Sequence, residues 1–192
     1  MKKFLLATAL TLTTATGAFA ADKYMLDASH SQIVFSYDHL GYSTTYGMFS
    51  GFEGEIMFDA ENPAASTVSV SMPVMSMFTG WEKRDAQFMS ADFFGVDDDT
   101  ALVSFTSTSI EVTGDNTALI TGDLDINGTT KSVVLDATLN KAAEHPMAKV
   151  DWLGFDATTT LLRSDFGVGN FAPFVGDEVN VIISIEAQKA GA

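Results

Sequence analysis

Residues 123–128 read Asp-Leu-Asp-Ile-Asn-Gly, the acidic spacing that opens a calcium loop, in which carboxylate and amide oxygens ring a hard cation. The rest of such a loop is missing. Its ninth position is Lys131, which would set a positive charge at the ion, and its twelfth, which should be a bidentate carboxylate, is Val134. Asn127-Gly128 between two alternating segments is instead a type I′ hairpin signal, because both central residues of that turn need φ > 0. A second group, Met72, Met75 and Met77, offers thioethers that suit Cu(I). Met72, however, continues the alternating face of Val68 and Val70, and no histidine or cysteine adjoins the run, so gap filling in a core is the plainer reading. A third, Asp27 with His30-Ser31, suggests a hydrolase, but no G-x-S-x-G elbow accompanies it, and a histidine beside a serine at a strand start more often caps a turn. The histidines His30, His39 and His145 are too scattered for a zinc pattern, and cysteine is absent. The sequence therefore calls for no catalytic residue, no metal and no cofactor.

The elements that position these residues are strands. Period-two alternation runs through Ser31–His39, Phe52–Phe58, Ser66–Val74, Leu102–Glu111, Thr117–Ile126, Lys131–Asn140, Trp152–Leu162 and Glu178–Ala187, with Gly, Asn, Asp and Pro in the turns between them. One stretch breaks the rhythm: Trp81, Arg84, Asp85 and Phe88 stand at helical offsets and predict a short helix over 81–90. The expected fold is all-β, an eight-stranded antiparallel barrel or sandwich with one helical insertion.

The chain opens with Met1-Lys2-Lys3, continues with a short apolar run and reaches Ala18-Phe19-Ala20, the pattern of a cleavable secretory leader. Cleavage is expected between Ala20 and Ala21, leaving residues 21–192 as one exported domain, and the bacterial style of the leader points to the periplasm. No later segment has the roughly 18 consecutive apolar residues of a membrane span, so no stable membrane insertion is expected. With 25 acidic against 10 basic residues the net charge is −15. Loss of Lys2 and Lys3 makes it more negative still, which repels phosphate backbones and anionic lipid surfaces and argues against nucleic acid as a partner.

Several blocks together carry a family resemblance. They begin with Tyr24-x-Leu26-Asp27-x-x-His30-Ser31, His39-x-Gly41, Gly47-x-Phe49 and Gly51-Phe52-x-Gly54. They continue with Arg84-Asp85, Ser90-x-Asp92-Phe93-Phe94 and Gly122-x-Leu124. They end with Arg163-Ser164-Asp165-Phe166-Gly167 and Val175-Gly176-Asp177-Glu178-Val179. From Tyr24 to Ala187 the chain resembles the YceI family of periplasmic lipid-binding proteins. The resemblance implies a lipocalin-like eight-stranded barrel, no enzymatic activity, and a hydrophobic ligand such as a polyprenyl quinone, another polyisoprenoid or a fatty chain.

Whether the residues support a hollow barrel is a separate question. Eight strands enclose a space that side chains can fill or that one small ligand can occupy. Two features favour the hollow. Phenylalanines occur in connecting segments (Phe78, Phe88, Phe93, Phe94, Phe166, Phe171 and Phe174), where they could cap a barrel mouth. Glycines at Gly47, Gly51, Gly54, Gly122 and Gly154 fall within strands, marking bends or close approaches, with bends the plainer account. The expected ligand-binding residues are Phe35, Tyr37, His39, Phe49, Val70, Met72, Phe88, Phe105, Leu124, Phe155, Arg163 and Phe166. His39 is placed there because it continues the face of Phe35 and Tyr37. For Arg163 an ion pair with a carboxylate that fixes its loop is preferred to contact with a ligand head group. Each CH₂ of a buried tail contributes ~0.8 kcal/mol. The alternatives are a hydrolase or isomerase acting on a lipid in the same barrel, and a Met-site copper binder. Oligomeric state, a homodimer included, is left open.

Overall fold

The computed structural model describes residues 21–98 and 100–191; the leader prediction falls outside the described residues. Ten strands among them form one antiparallel sheet: β1 (Asp22–Leu26), β2 (Gln32–His39), β3 (Ser43–Phe49), β4 (Glu53–Phe58), β5 (Thr67–Pro73), β6 (Leu102–Gly114), β7 (Thr117–Ile126), β8 (Thr129–Glu144), β9 (Asp151–Leu162) and β10 (Glu178–Lys189). Strands β1, β4, β5, β6, β7, β8, β9 and β10 follow one another around a ring, and β1 pairs with β10 to close it. The fold is the expected closed eight-stranded barrel.

Two of the ten strands carry no alternation signal in sequence, and their absence there has a physical reason. Each is half of a broken stave. β10 pairs through Ala187–Lys189 with β1 and through Asn180–Ser184 with β2, so β1 and β2 lie end to end along one partner. β3 and β4 repeat the arrangement, β3 on β2 and β4 on β1. β1 is five residues long and buries one of them, Tyr24, too little for a periodic pattern. The inward row of β3 is Thr45, Gly47 and Phe49, which is not apolar enough to read as a buried face.

At the break between β1 and β2 the ladder skips Glu186 of β10. The hydroxyl of Ser31 fills the gap: the Glu186 N–H donates to Ser31 Oγ at 3.2 Å, and Ser31 Oγ donates to the Glu186 carbonyl at 3.4 Å. The Asp27 N–H donates to the same carbonyl at 2.9 Å. Ser31 is buried, so its hydroxyl replaces a backbone partner that the broken stave cannot supply. Ser31→Ala is expected to cost about 1–3 kcal/mol, the penalty of a buried donor left unpaired, read as a lower urea midpoint at constant m.

The 127–128 turn is the expected hairpin. Asn127 and Gly128 have φ of 57° and 71°, and Ile126 faces Thr129 across it. The helical insertion, α1, spans Glu82–Met89, within the predicted 81–90. It sits in the connection from β5 to β6, so it belongs to the barrel end opposite the β6–β7 turn at 114–117. Asp85 holds it down by accepting from the Thr79 N–H at 2.9 Å and from Thr79 Oγ1 at 2.5 Å, while Arg84 Nε and Nη2 donate to Thr79 Oγ1 and O. A backbone bridge between Met48 and Phe78 ties the same connection to β3. Among the described residues no helix is long and apolar enough to cross a membrane.

Candidate ligand-binding cavity

The inward rows of the staves do not meet in the middle. They surround a cavity of ≈ 320 Å³, at the low end of small-molecule sites. Two strand glycines help to keep it open. A Cβ on Gly47 would lie 2.2 Å from Phe35 Cζ, and one on Gly122 would lie 2.3 Å from Phe105 Cζ. Each ring therefore rests against a neighbouring stave where a side chain is missing, lying along the wall rather than across the lumen. Close approach, rather than bending, accounts for both glycines.

Of the residues expected to touch a ligand, Phe35, Tyr37, Phe49, Val70, Met72, Phe88, Phe105, Leu124, Phe155, Arg163 and Phe166 lie on this wall. His39 does not. It is the last residue of β2, exposed, and is followed by Leu40 at φ 59°; its backbone bridges to Val175 outside the cavity. Alternation gave it the right face, but the strand leaves the barrel before that face meets the lumen. Wall residues passed over in sequence include Val179, Val181 and Ile183 of β10, whose inward alternation was legible, and Asp115 and Asn116, whose place in a polar turn carried no signal.

The two ends of the cavity differ. At the α1 end Phe88, Phe93, Phe94 and Phe166 are buried or half-buried and close the lumen, with Phe88 and Phe93 edge to face at 5.1 Å and Tyr37 against Phe88 at 6.3 Å. The other loop phenylalanines, Phe78, Phe171 and Phe174, are exposed and take no part in the wall. At the opposite end wall residues are themselves exposed: Pro63, Val112, Gly114, Asp115 and Asn116. A wall that is also surface marks the mouth. Asp156 stands at the same level, since Thr117 faces Thr138 on β8, which in turn faces Asp156 on β9, but it shares the outward row with Thr138 while Phe155 and Ala157 face the lumen.

Arg163 stands at the capped end and forms no salt bridge among the described residues, contrary to the expected carboxylate pair. It does fix its loop, but through carbonyls. Nε donates to Gly176 O at 2.7 Å, Nη1 to Val168 O at 3.0 Å and Asn170 O at 2.8 Å, and Nη2 to Val175 O at 2.8 Å. The planar fork suits a loop that wraps around it. Burial pushes the guanidinium below its ordinary value, with Asp177 and Tyr37 opposing. Asp177 is occupied by Ser164, whose N–H and Oγ donate to it at 2.9 and 2.6 Å.

Most of the other chemistry-bearing groups lie off the wall. Met72 and Met77 are on it, but Met75 is exposed and does not join them. His145 packs on Trp152 at 4.8 Å. Exposed His30 pairs through Nδ1 with Asp27 Oδ2 at 2.6 Å, in a group that also includes Glu186. The hydrogen bond to Asp27, then its charge, raises the His30 pKa. Burial pushes Asp27 up, but hydrogen bonds from His30 and Ser29 outweigh it and hold the carboxyl below its usual value. The raised histidine stabilises the fold fully below its unfolded pKa and loses that contribution as pH rises through the folded one. The lowered aspartate contributes above its unfolded pKa and loses as pH falls through the folded one. The pair is thus complete between about pH 4 and 6.5. The melting-temperature difference between the wild type and His30→Gln is expected to be largest there and to shrink as the pH rises through the raised folded value of His30.

The comparisons agree with this geometry. A family model described as the YceI-like domain matches residues 24–187. A UPF0312 protein of Ectopseudomonas mendocina is 42% identical over 171 residues, 88% of each chain. One from Azotobacter vinelandii is 38% identical over 193 residues, covering 98% of this chain and 99% of its own. Among solved structures, BcnA of Burkholderia cenocepacia superposes with a TM-score of 0.74 at 23% identity, over 84% of this chain and 98% of that one. A polyisoprenoid binding domain from Saccharophagus degradans gives 0.65 at 12% identity, over 86% and 98%. Motif blocks, ring order and a match over nearly all of the described barrel converge: the chain belongs to the YceI-like domain family.

Proposed function

We propose that the protein binds a long-chain isoprenoid, quinone-type or related amphiphilic lipid in the barrel and carries or stores it in the periplasm, without transforming it. The observation that carries this reading is the apolar cavity itself, running from the α1 cap to a mouth at the β6–β7 turn. A tail seated there exchanges water for Phe, Val, Ile and Leu side chains at ~0.8 kcal/mol per CH₂ before ordering costs. The Saccharophagus degradans neighbour, described as a polyisoprenoid binding domain, supports the same ligand class. The leader pattern supports the compartment.

The enzymatic alternative finds no support on the wall. His30, His39 and His145 all lie off it, and the hydroxyl of Ser31 is engaged with the backbone of Glu186. The test is solvent extraction and mass spectrometry of protein purified from its native host, paired with displacement of a neutral apolar dye by added prenols. A co-purifying amphiphile recovered chemically intact is the expected result. Absence of any amphiphile, together with no displacement, would overturn the reading.

A further inference from the structure

The lumen is lined mostly by Phe, Val, Ile and Leu, but its closed end holds two hydrogen-bond donors. The first is Tyr37, which is 7% exposed, lies on the wall and packs edge to face with Phe88 of the cap at 6.3 Å. Its hydroxyl makes no hydrogen bond among the described residues, and none of their polar side-chain atoms is both unpaired and sealed off, so the oxygen opens onto the lumen. The second donor is Arg163. Val181 of β10 faces Phe35 on one side and Thr159 on the other, and Val179 faces Leu161. Tyr37, two residues beyond Phe35, therefore stands at the level of Leu161, and Arg163 takes the next position of that inward row. Gly176 ties the two together: its N–H donates to Asp38 O at 2.8 Å, and its carbonyl accepts from Arg163 Nε at 2.7 Å. Four of the five guanidinium N–H groups are donated to carbonyls, which leaves one, on Nη2. Among the described residues no carboxylate pairs with the charge.

We infer that the Tyr37 hydroxyl and the remaining Arg163 N–H form a head-group subsite, so that an amphiphile lies with a carbonyl-type oxygen, of a quinone or a carboxylate, at the closed end and its tail toward the mouth. A buried donor without a partner is costly until an acceptor arrives, and an apolar tail brings none. A guanidinium bonded only to neutral carbonyls keeps its charge uncompensated, which favours an acceptor oxygen beside it and disfavours a cationic head. With the head held there, the far end of the tail is what reaches the open rim at Val112 and Asp115, so a chain longer than the lumen extends past the rim. The inference rests on the reading of the cavity as a lipid site and adds to it a head-group class and a direction.

The experiment compares the wild type with Tyr37→Phe, as full exported chains stripped of lipid. Three ligands displace Nile red from each: geranyl-benzoquinone, farnesoic acid, and geranylbenzene, which has the shape of the quinone without its oxygens. The variant keeps the ring and its contact with Phe88, and the hydroxyl it loses has no partner in the protein, so its melting temperature is expected to match the wild type. The quinone, the acid or both are expected to bind the variant about five to ten times more weakly, and geranylbenzene equally well. Which of the two oxygen ligands weakens tells a quinone head from a carboxylate. With an isotope-labelled carbonyl, that ligand is expected to show its infrared band at lower frequency in the wild type than in the variant, the mark of a hydrogen bond that a merely structural role for Tyr37 would not produce. Equal changes for all three ligands, or a carbonyl band identical in the two proteins, would overturn the inference and leave the lipid site standing. A lowered melting temperature of the lipid-free variant would also overturn it, by showing that the hydroxyl is engaged within the protein. Failure of all three ligands to displace the dye from the wild type would overturn the lipid site and the inference with it.

Discussion

Replacing Arg163 by alanine is expected to remove about 3–5 kcal/mol of stability, measured as a fall in urea midpoint and melting temperature. Three of the four carbonyls that accept from its guanidinium are half shielded from water, those of Gly176, Val168 and Val175. Hydrogen bonds to a charged donor contribute about 1.5–3 kcal/mol each, and carbonyls that lose theirs without gaining water add a penalty. The segment from 164 to 177 has no strand of its own, so the fork of Arg163 is what organises it. Lysine at this position keeps the charge but places one ammonium where three nitrogens now reach in different directions, and Arg163→Lys is expected to recover less than half of the loss. An alanine variant as stable as the wild type would show that the loop is held by its apolar contacts, Phe166 and Val168, rather than by the guanidinium.

The second large effect concerns the lumen. Val181, in the middle of β10, is on the wall and buried, facing Phe35 on β2 and Thr159 on β9. Val181→Phe extends a ring into space the protein leaves unfilled. A tail that must give up room for about four carbons loses about 3 kcal/mol, more than a hundredfold in affinity. The same ring gains apolar contacts, so the melting temperature is expected to hold or rise. Displacement assays and thermal melts on one preparation check both. Loss of binding together with a fall in stability would instead indicate overpacking, and unchanged binding would show that the ligand does not use the middle of the barrel.

Much of this was legible in the order of residues, and the exceptions are instructive. The paired signals at β7 and β8 fixed a hairpin against an ion loop because turn chemistry and ligand chemistry make opposite demands at Lys131 and Val134. The wall could be named because inward rows alternate. His39 shows the limit of that rule: alternation assigns a face but not the point at which a strand leaves the barrel. Arg163 shows another. Its cationic charge suggested a carboxylate partner, whereas the folded loop offers carbonyls, which leave no trace in sequence because every residue has one. The mouth was invisible for a related reason. Asp115 and Asn116 read as an ordinary polar turn, and only the closure of the ring sets that turn on the rim of the cavity.

The ladder that seals the barrel joins Tyr24, Met25 and Leu26 to Lys189, Gln188 and Ala187, the start of the described chain to its end. A chain delivered N-terminus first therefore cannot complete its fold while its tail is still withheld. The hairpins from β5 to β9 can assemble locally, but the circuit stays open until the last dozen residues arrive, and contacts of that sequence span form slowly. A protein wired in this way remains threadable for as long as it is being threaded, and becomes a container only on release.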